Sequence, residues 1–285
     1  RLGRIGDWMQ SYVDRNRFAG CSVLVAQAGR EVYFNAVGQR DIETGEPFAR
    51  DTIARIYSMT KPITSVAIMM LAERGLFHLD APVSDFIPAF AKMECLIPGA
   101  TSIDQTEPCP TPTLHHLLTH TSGLSYPFNP GVLAKAMDEH DILFRADQGS
   151  LAEMTDRVAA LPLAFQPGSR WEYSVSIDVL GRVVEVVSGK TLEQFFVDEI
   201  LGPLGMNETR FSVPQGAQDR FAALYTPRAG SAYALNDATP SEPTLRCVDR
   251  PEKSPFLKAE MHSGGGGLVG TIDDYLKFTE MLRTG

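Results

Sequence analysis

The sequence predicts a mixed α/β protein, an antiparallel sheet flanked by helices with a mostly α-helical lobe inserted into it. Three observations carry that prediction. Two β-branched runs around a Gly turn near the N-terminus read as an antiparallel hairpin. Apolar residues recur at helical spacing on both sides of that hairpin. The long middle of the chain is dominated by capped helical segments and Pro-bearing loops. Residues 1–75 are accordingly assigned to the N-terminal part of the sheet-bearing lobe, 76–206 to the helical lobe, and 207–285 to the return to the first lobe.

In chain order, Leu2, Ile5, Trp8, Met9 and Val13 follow a helical period and predict an amphipathic helix over about residues 3–16. Cys21–Gln27 and Glu31–Val37 are the two strands of the hairpin, turned at Ala28-Gly29-Arg30. After a polar loop, Tyr57-Ser58-Met59-Thr60-Lys61-Pro62 opens a helix with Ile63, Val66, Ala67, Met70 and Leu71 on its apolar side, ended by Gly75. Residues 95–112 show no periodicity and read as a surface excursion. Thr113 caps a short helix expected to end at Gly123 in the left-handed position. Further helices are expected over Asp147–Leu161, after Ser176 as cap up to Gly189, and after the Thr191-Leu-Glu-Gln194 capping box. A weak strand at Phe221–Tyr225 precedes a loop rich in Pro, Ala and Ser up to Pro255. Thr271 then caps a last helix that contains Ile272, Tyr275 and Phe278.

Composition narrows the function. A net charge of −9 with no basic cluster argues against nucleic-acid binding. No apolar run approaches ~20 residues, so no membrane span is expected. The first residues lack the apolar region of a signal peptide, which fits a cytoplasmic chain or a periplasmic or secreted one already freed of its leader. Four scattered cysteines, Cys21, Cys95, Cys109 and Cys247, lack zinc-ligand spacing and read as reduced, structural thiols. His115, His116 and His120 lack the i, i+4 pairing of a metal helix and read as core or capping residues. Neither a metal nor a cofactor is expected.

Ser58-x-x-Lys61 is the one such pair in the chain, where composition alone gives about 0.4. Residues three apart share a helix face, so the Lys61 nitrogen can reach the Ser58 oxygen, and a hydroxyl becomes a good nucleophile only when a neighbouring base takes its proton. A helix start also offers backbone N–H groups to an oxyanion. Tyr173, in a loop between the Gln166–Ser169 turn and a helix, supplies a phenol whose charged form an ammonium would favour.

Together, Ser58-Met-Thr-Lys61, Leu117-Leu-Thr-His-Thr-Ser-Gly-Leu124, Pro167-Gly168 before Tyr173-Ser174, and Gly264-Gly-Gly-Gly-Leu268 resemble the serine β-lactamase and penicillin-binding-protein superfamily. The match is closest to its class C-like branch and the β-lactamase-like (family VIII) carboxylesterases. That resemblance implies Ser58 as an acylated nucleophile, Lys61 as its proton partner and Tyr173 as general base and acid. It implies Tyr126 in the substrate pocket, the Ser58 N–H as an oxyanion donor, and the glycine run as close backbone packing.

Three departures shape the expectation. The lactamase pattern Tyr-x-Asn holds substrate with its amide, whereas Val175 stands at that substrate-binding position. No Gly-x-Ser-x-Gly occurs, which excludes an α/β-hydrolase elbow. The family's third motif, Lys-Thr-Gly or a His/Trp-x-Gly variant, falls after the glycine run and its helix. His262-Ser263-Gly264 has that form but the wrong position. The resemblance thus implies a β-lactamase-like fold lacking its C-terminal strands here, completed by a further segment or a second chain. The expected function is hydrolysis of a small-molecule carboxylic ester through an acyl-enzyme. The alternatives are β-lactam or D-amino-acid peptide cleavage, acyl transfer, or a non-catalytic binding module on the same fold.

Overall fold

The computed structural model describes residues 1–227 and 245–285. The chain forms two compact units. Arg1–Arg55, Leu204–Lys258 and Val269–Gly285 make the first, Ile56–Pro203 and Ala259–Leu268 the second. The mixed α/β class and the antiparallel pairing expected from the sequence are both observed.

In the first unit, helix α1 (Gly3–Asp14) leads to strands β1 (Gly20–Gln27) and β2 (Arg30–Asp41), paired from Gly20↔Gly38 to Gln27↔Arg30. Ala28 and Gly29 form the turn, both at positive φ (50° and 76°), a geometry that follows the right-handed twist of the strands. Strand β2 outruns its predicted end because its last residues also pair with β3 (Glu46–Pro47). Gly38 sits at φ 76°, and a Cβ there would lie 2.3 Å from the Ala19 carbonyl oxygen. Strand β4 (Ala54–Arg55) closes this stretch.

The second unit opens with one 3₁₀ turn, Tyr57–Met59, running into α2 (Thr60–Glu73). Strands β5 (Glu94–Leu96) and β6 (Thr106–Pro108) pair antiparallel inside the stretch expected to be irregular; three residues each are too few for alternation to show. Then come α3 (Leu114–Leu118), α4 (Val132–Glu139), α5 (Leu151–Ala159), α6 (Ser176–Ser188) and α7 (Leu192–Phe196). Helix α3 is capped by Thr113, with His116 in the return role of the capping box. It stops well before Gly123, and His120 already takes a left-handed conformation at φ 54°. Ser176 does not cap α6. Val175 holds that position without a side-chain bond, while the Ser176 hydroxyl is buried against those of Ser122 and Ser174.

Helix α6 is the core of this unit, packed against α2, α3, α5 and α7. Val179, Leu180, Val183 and Val184 are fully buried there, as are Ile63, Ala67 and Ile68 of α2. Each large apolar side chain so buried contributes about 1.5–3 kcal/mol, against under ~1 kcal/mol for an ion pair such as Arg182–Glu185 on the same helix. Burial therefore decides where α6 lies.

The chain returns to the first unit with β7 (Leu224–Pro227) and β8 (Leu245–Asp249), paired antiparallel, then β9 (Val269–Gly270) against β4, and α8 (Ile272–Thr284) capped by Thr271. Strand β8 occupies part of the stretch expected to be loop; residues 228–244 of that stretch lie outside the described residues. All four cysteines are free. No helix among the described residues is long and apolar enough to cross a membrane.

Gly38→Ala should destabilise the protein by about 1–3 kcal/mol, since it combines a left-handed backbone with a Cβ pressed on β1's neighbour. Urea unfolding of the two proteins measures that difference.

Candidate active site

Every group of the candidate site belongs to the second unit. Ser58 lies in the 3₁₀ turn that starts α2, directly after Tyr57, whose φ of 42° is unusual for a residue with a Cβ. Lys61 follows one turn on and is only 8% exposed. Its Nζ donates to Ser58 Oγ (3.2 Å), to Tyr126 Oη (3.1 Å) and to the Gly265 carbonyl oxygen (2.7 Å). An ammonium has three protons, and here each has an acceptor. The 2.5 Å contact between Tyr173 Oη and Ser58 Oγ completes the cluster, with Lys61 Nζ 4.7 Å from the centre of the Tyr173 ring. Ser58, Lys61, Tyr126 and Tyr173 thus meet at one point. Val175 does not join them: its side chain is wholly buried at the start of α6, and its N–H bonds the Ser125 carbonyl.

The glycine run supports Lys61 from behind. Ile56 N–H donates to Leu268 O (3.0 Å), Leu268 N–H to Thr60 Oγ1 (3.2 Å), and Thr64 Oγ1 to Gly264 O (2.7 Å), which ties the run to the first turns of α2. On its other side, Asp178 in the first turn of α6 is fully buried and accepts from Ser263 Oγ (2.5 Å) and Gly265 N–H (2.9 Å). A Cβ on Gly265 would lie 2.2 Å from Asp178 Oδ2, and one on Gly264 would lie 2.8 Å from the Ile177 carbonyl oxygen. Close packing leaves no room for side chains here. Burial pushes the Asp178 carboxyl up, an effect opposed by the Ser263 bond and by the Lys61 charge.

Around Tyr173, Asn129 Nδ2 donates to its carbonyl oxygen (2.8 Å), and Ser125 Oγ donates to Glu172 Oε1 (2.7 Å). The His120 ring packs against that of Tyr173 (5.0 Å between centroids), and its Nδ1 accepts from Ser174 N–H (3.3 Å). Burial first, and the Lys61 charge second, lower the His120 pKa to about 4. Sequence reasoning missed both His120 and Asp178. The visible signal for Asp178 was a carboxylate inside the apolar run Ile177-Asp178-Val179-Leu180; that for His120 was its place inside the Leu117–Leu124 motif. Among the described residues no group of three or more His, Cys, Asp or Glu is arranged to hold a metal ion.

A helix-start serine thus lies in hydrogen-bond contact with a buried lysine and a tyrosine, beside a glycine run. A family model described as Beta-lactamase matches residues 5–285, and the chain belongs to that family. Protein Rv1367c of Mycobacterium tuberculosis is 36% identical over 271 residues, 94% of this chain and 63% of that protein. Esterase EstB of Burkholderia gladioli is 35% identical over 275 residues, again 94% of this chain and 66% of its own length. The chain therefore spans a little under two-thirds of these relatives. Among solved structures, EstCE1, a hydrolase with promiscuous acyltransferase activity, superposes with a TM-score of 0.78 at 31% identity, covering all of this chain and 72% of that one.

The depressed His120 pKa has a consequence for stability. Above pH ~6.5 the imidazole is neutral in both folded and unfolded chains, and its contribution is fully present. Between ~6.5 and about 4 the unfolded chain binds a proton that the folded one refuses, so stability falls as pH falls. Urea midpoints between pH 7.5 and 4.5 should drop less for His120→Asn, which does not titrate, than for the wild type.

Proposed function

We propose that this protein hydrolyses carboxylic esters through an acyl-enzyme on Ser58. The observation that carries this reading is the pair of contacts to Ser58 Oγ, 3.2 Å from Lys61 Nζ and 2.5 Å from Tyr173 Oη. Lys61 has all three protons committed to acceptors, which favours its role as a fixed positive charge. Tyr173 is then the group that moves the proton. A phenolate on Tyr173, stabilised by the neighbouring ammonium, takes the Ser58 proton as Oγ attacks the ester carbonyl carbon. The Ser58 N–H at the helix start faces the developing oxyanion. Tyr173 passes its proton to the leaving alkoxide, the C–O bond breaks and the acyl group stays on Ser58. Water attacks the acyl-enzyme in turn, giving a proton to Tyr173. As the second tetrahedral species collapses, that proton goes to Ser58 Oγ and the acid departs.

Tyr126 presents its hydroxyl to Lys61 and is assigned to the pocket wall. Val175 is assigned no contact with substrate. Its significance is the amide it lacks: no side-chain donor is available there for the acylamino group of a β-lactam, which favours a simple ester. The esterase activity of EstB and the hydrolase activity of EstCE1 support the same class, and the acyltransferase activity of EstCE1 supports acyl transfer as a second outcome of the same intermediate. A binding module without chemistry would have no use for a serine, a lysine and a tyrosine in hydrogen-bond contact.

Ser58→Ala should abolish labelling by a fluorophosphonate and turnover of p-nitrophenyl butyrate; labelling that survives this substitution would overturn the assignment. Tyr173→Phe should lower kcat by about 10²–10⁴-fold, the usual span for loss of general acid–base catalysis. The butyrate should be turned over in preference to nitrocefin. Added alcohol should divert part of the acyl group into a new ester.

A further inference from the structure

His120 grips the chain on both sides of Tyr173. Its carbonyl oxygen accepts the Glu172 N–H at 2.9 Å, and its Nδ1 accepts the Ser174 N–H at 3.3 Å. One residue separates those two N–H groups, the one whose hydroxyl touches Ser58. We propose that His120 is a positioning residue for Tyr173, fixing the backbone before and after it and the plane of its ring, and so setting the phenol oxygen on Ser58 Oγ. The inference rests on the assignment of Tyr173 to proton transfer.

Several independent features fit this role. The left-handed backbone of His120, φ 54°, ends the α3 segment and lets one residue offer both its carbonyl and its ring nitrogen to the 172–174 segment. The same ring supports the Tyr173 ring at 5.0 Å and meets Trp171 edge-on at 6.3 Å. Nδ1 must carry a lone pair to accept an amide proton, so the neutral tautomer has its hydrogen on Nε2. Burial and the Lys61 ammonium both disfavour a second proton, so the acceptor persists at neutral pH.

A buried hydroxyl chain extends the hold. His120 Nδ1 lies 3.2 Å from Ser174 Oγ, Ser174 Oγ 2.7 Å from Ser176 Oγ, and Ser176 Oγ 2.8 Å from Ser122 Oγ. Ser122 belongs to the same turn as His120, so the 172–176 segment is closed onto the 120–124 turn at several points. Tolerance in such a position is small, since misplacing a reacting group by ~1 Å costs on the order of 10²-fold in rate.

Two substitutions separate this role from a merely structural one, because both Gly and Asn accept a left-handed backbone. His120→Gly keeps the carbonyl and removes Nδ1 and the ring. His120→Asn offers Oδ1 close to where Nδ1 stood. His120→Gly should lower kcat for p-nitrophenyl butyrate by about tenfold or more with KM within about threefold, and His120→Asn should recover most of that loss. In a Tyr173→Phe background, His120→Gly should leave the residual rate of Ser58 labelling unchanged, because the group it positions is already gone. The proposal is overturned if His120→Gly stays within about twofold of wild type, if Asn restores nothing, or if Gly costs the same factor in the Phe background. Tyr173→Phe alone distinguishes the two levels of inference. Full activity in that variant defeats the reading of Tyr173 and this proposal with it, whereas an inactive Tyr173→Phe beside a fully active His120→Gly defeats this proposal only.

Discussion

Lys61 is the interaction on which the rest of the second unit's chemistry depends. An ammonium taken out of water costs several kcal/mol unless its protons find acceptors, and this one is 8% exposed. Ser58 Oγ, Tyr126 Oη and the Gly265 carbonyl meet the demand, and each comes from a different part of the chain. Burying the charge therefore forces the start of α2, the turn after α3 and the glycine run to converge. Two of the three acceptors are hydroxyls, and one of these is the proposed nucleophile, Ser58. The solvation of a buried charge and the assembly of the reacting groups are one and the same set of bonds.

Acceptors of this kind have to be held in place. Gly265 is pinned on both sides, its carbonyl to Lys61 and its N–H to the buried Asp178 carboxyl, and Asp178 is anchored by the apolar packing of α6. The Asp178 carboxyl and the Lys61 ammonium thus stand on either side of a single residue, Gly265. Lys61 makes no bond to Asp178 itself, and its protons go to Ser58, Tyr126 and the Gly265 carbonyl. Gly264 and Gly265 are needed because the Asp178 carboxyl and the α6 backbone come so close that a Cβ on either would collide with them.

Much of this was legible in the residues. The contact between Ser58 and Lys61 follows from their spacing at a helix start, and the hairpin from β-branched runs around Ala28-Gly29, because local sequence is what sets those geometries. Tyr173 was legible only with the other motifs beside it, since a tyrosine between a turn and a helix says little by its position alone. The short β5–β6 pair was not, since three-residue strands carry no period. Val175 looked like a residue at the substrate, but the apolar start of α6 draws it inside. His120 was read as one more core or capping histidine. Its bonds run to backbone groups 52 and 54 residues away, so its place in the Leu117–Leu124 motif could be read from the sequence but its partners, set by tertiary structure, could not.

Tyr57 brings one more consequence. Its left-handed backbone, immediately before Ser58, is disfavoured for a residue with a Cβ by about 1–2 kcal/mol, and glycine would adopt it without penalty. A glycine at that position would relieve the strain in the folded chain yet free the peptide that leads into Ser58, the proposed nucleophile. Sturdiness and aim pull in opposite directions at this residue, and the chain has kept the side chain that sacrifices some of the first.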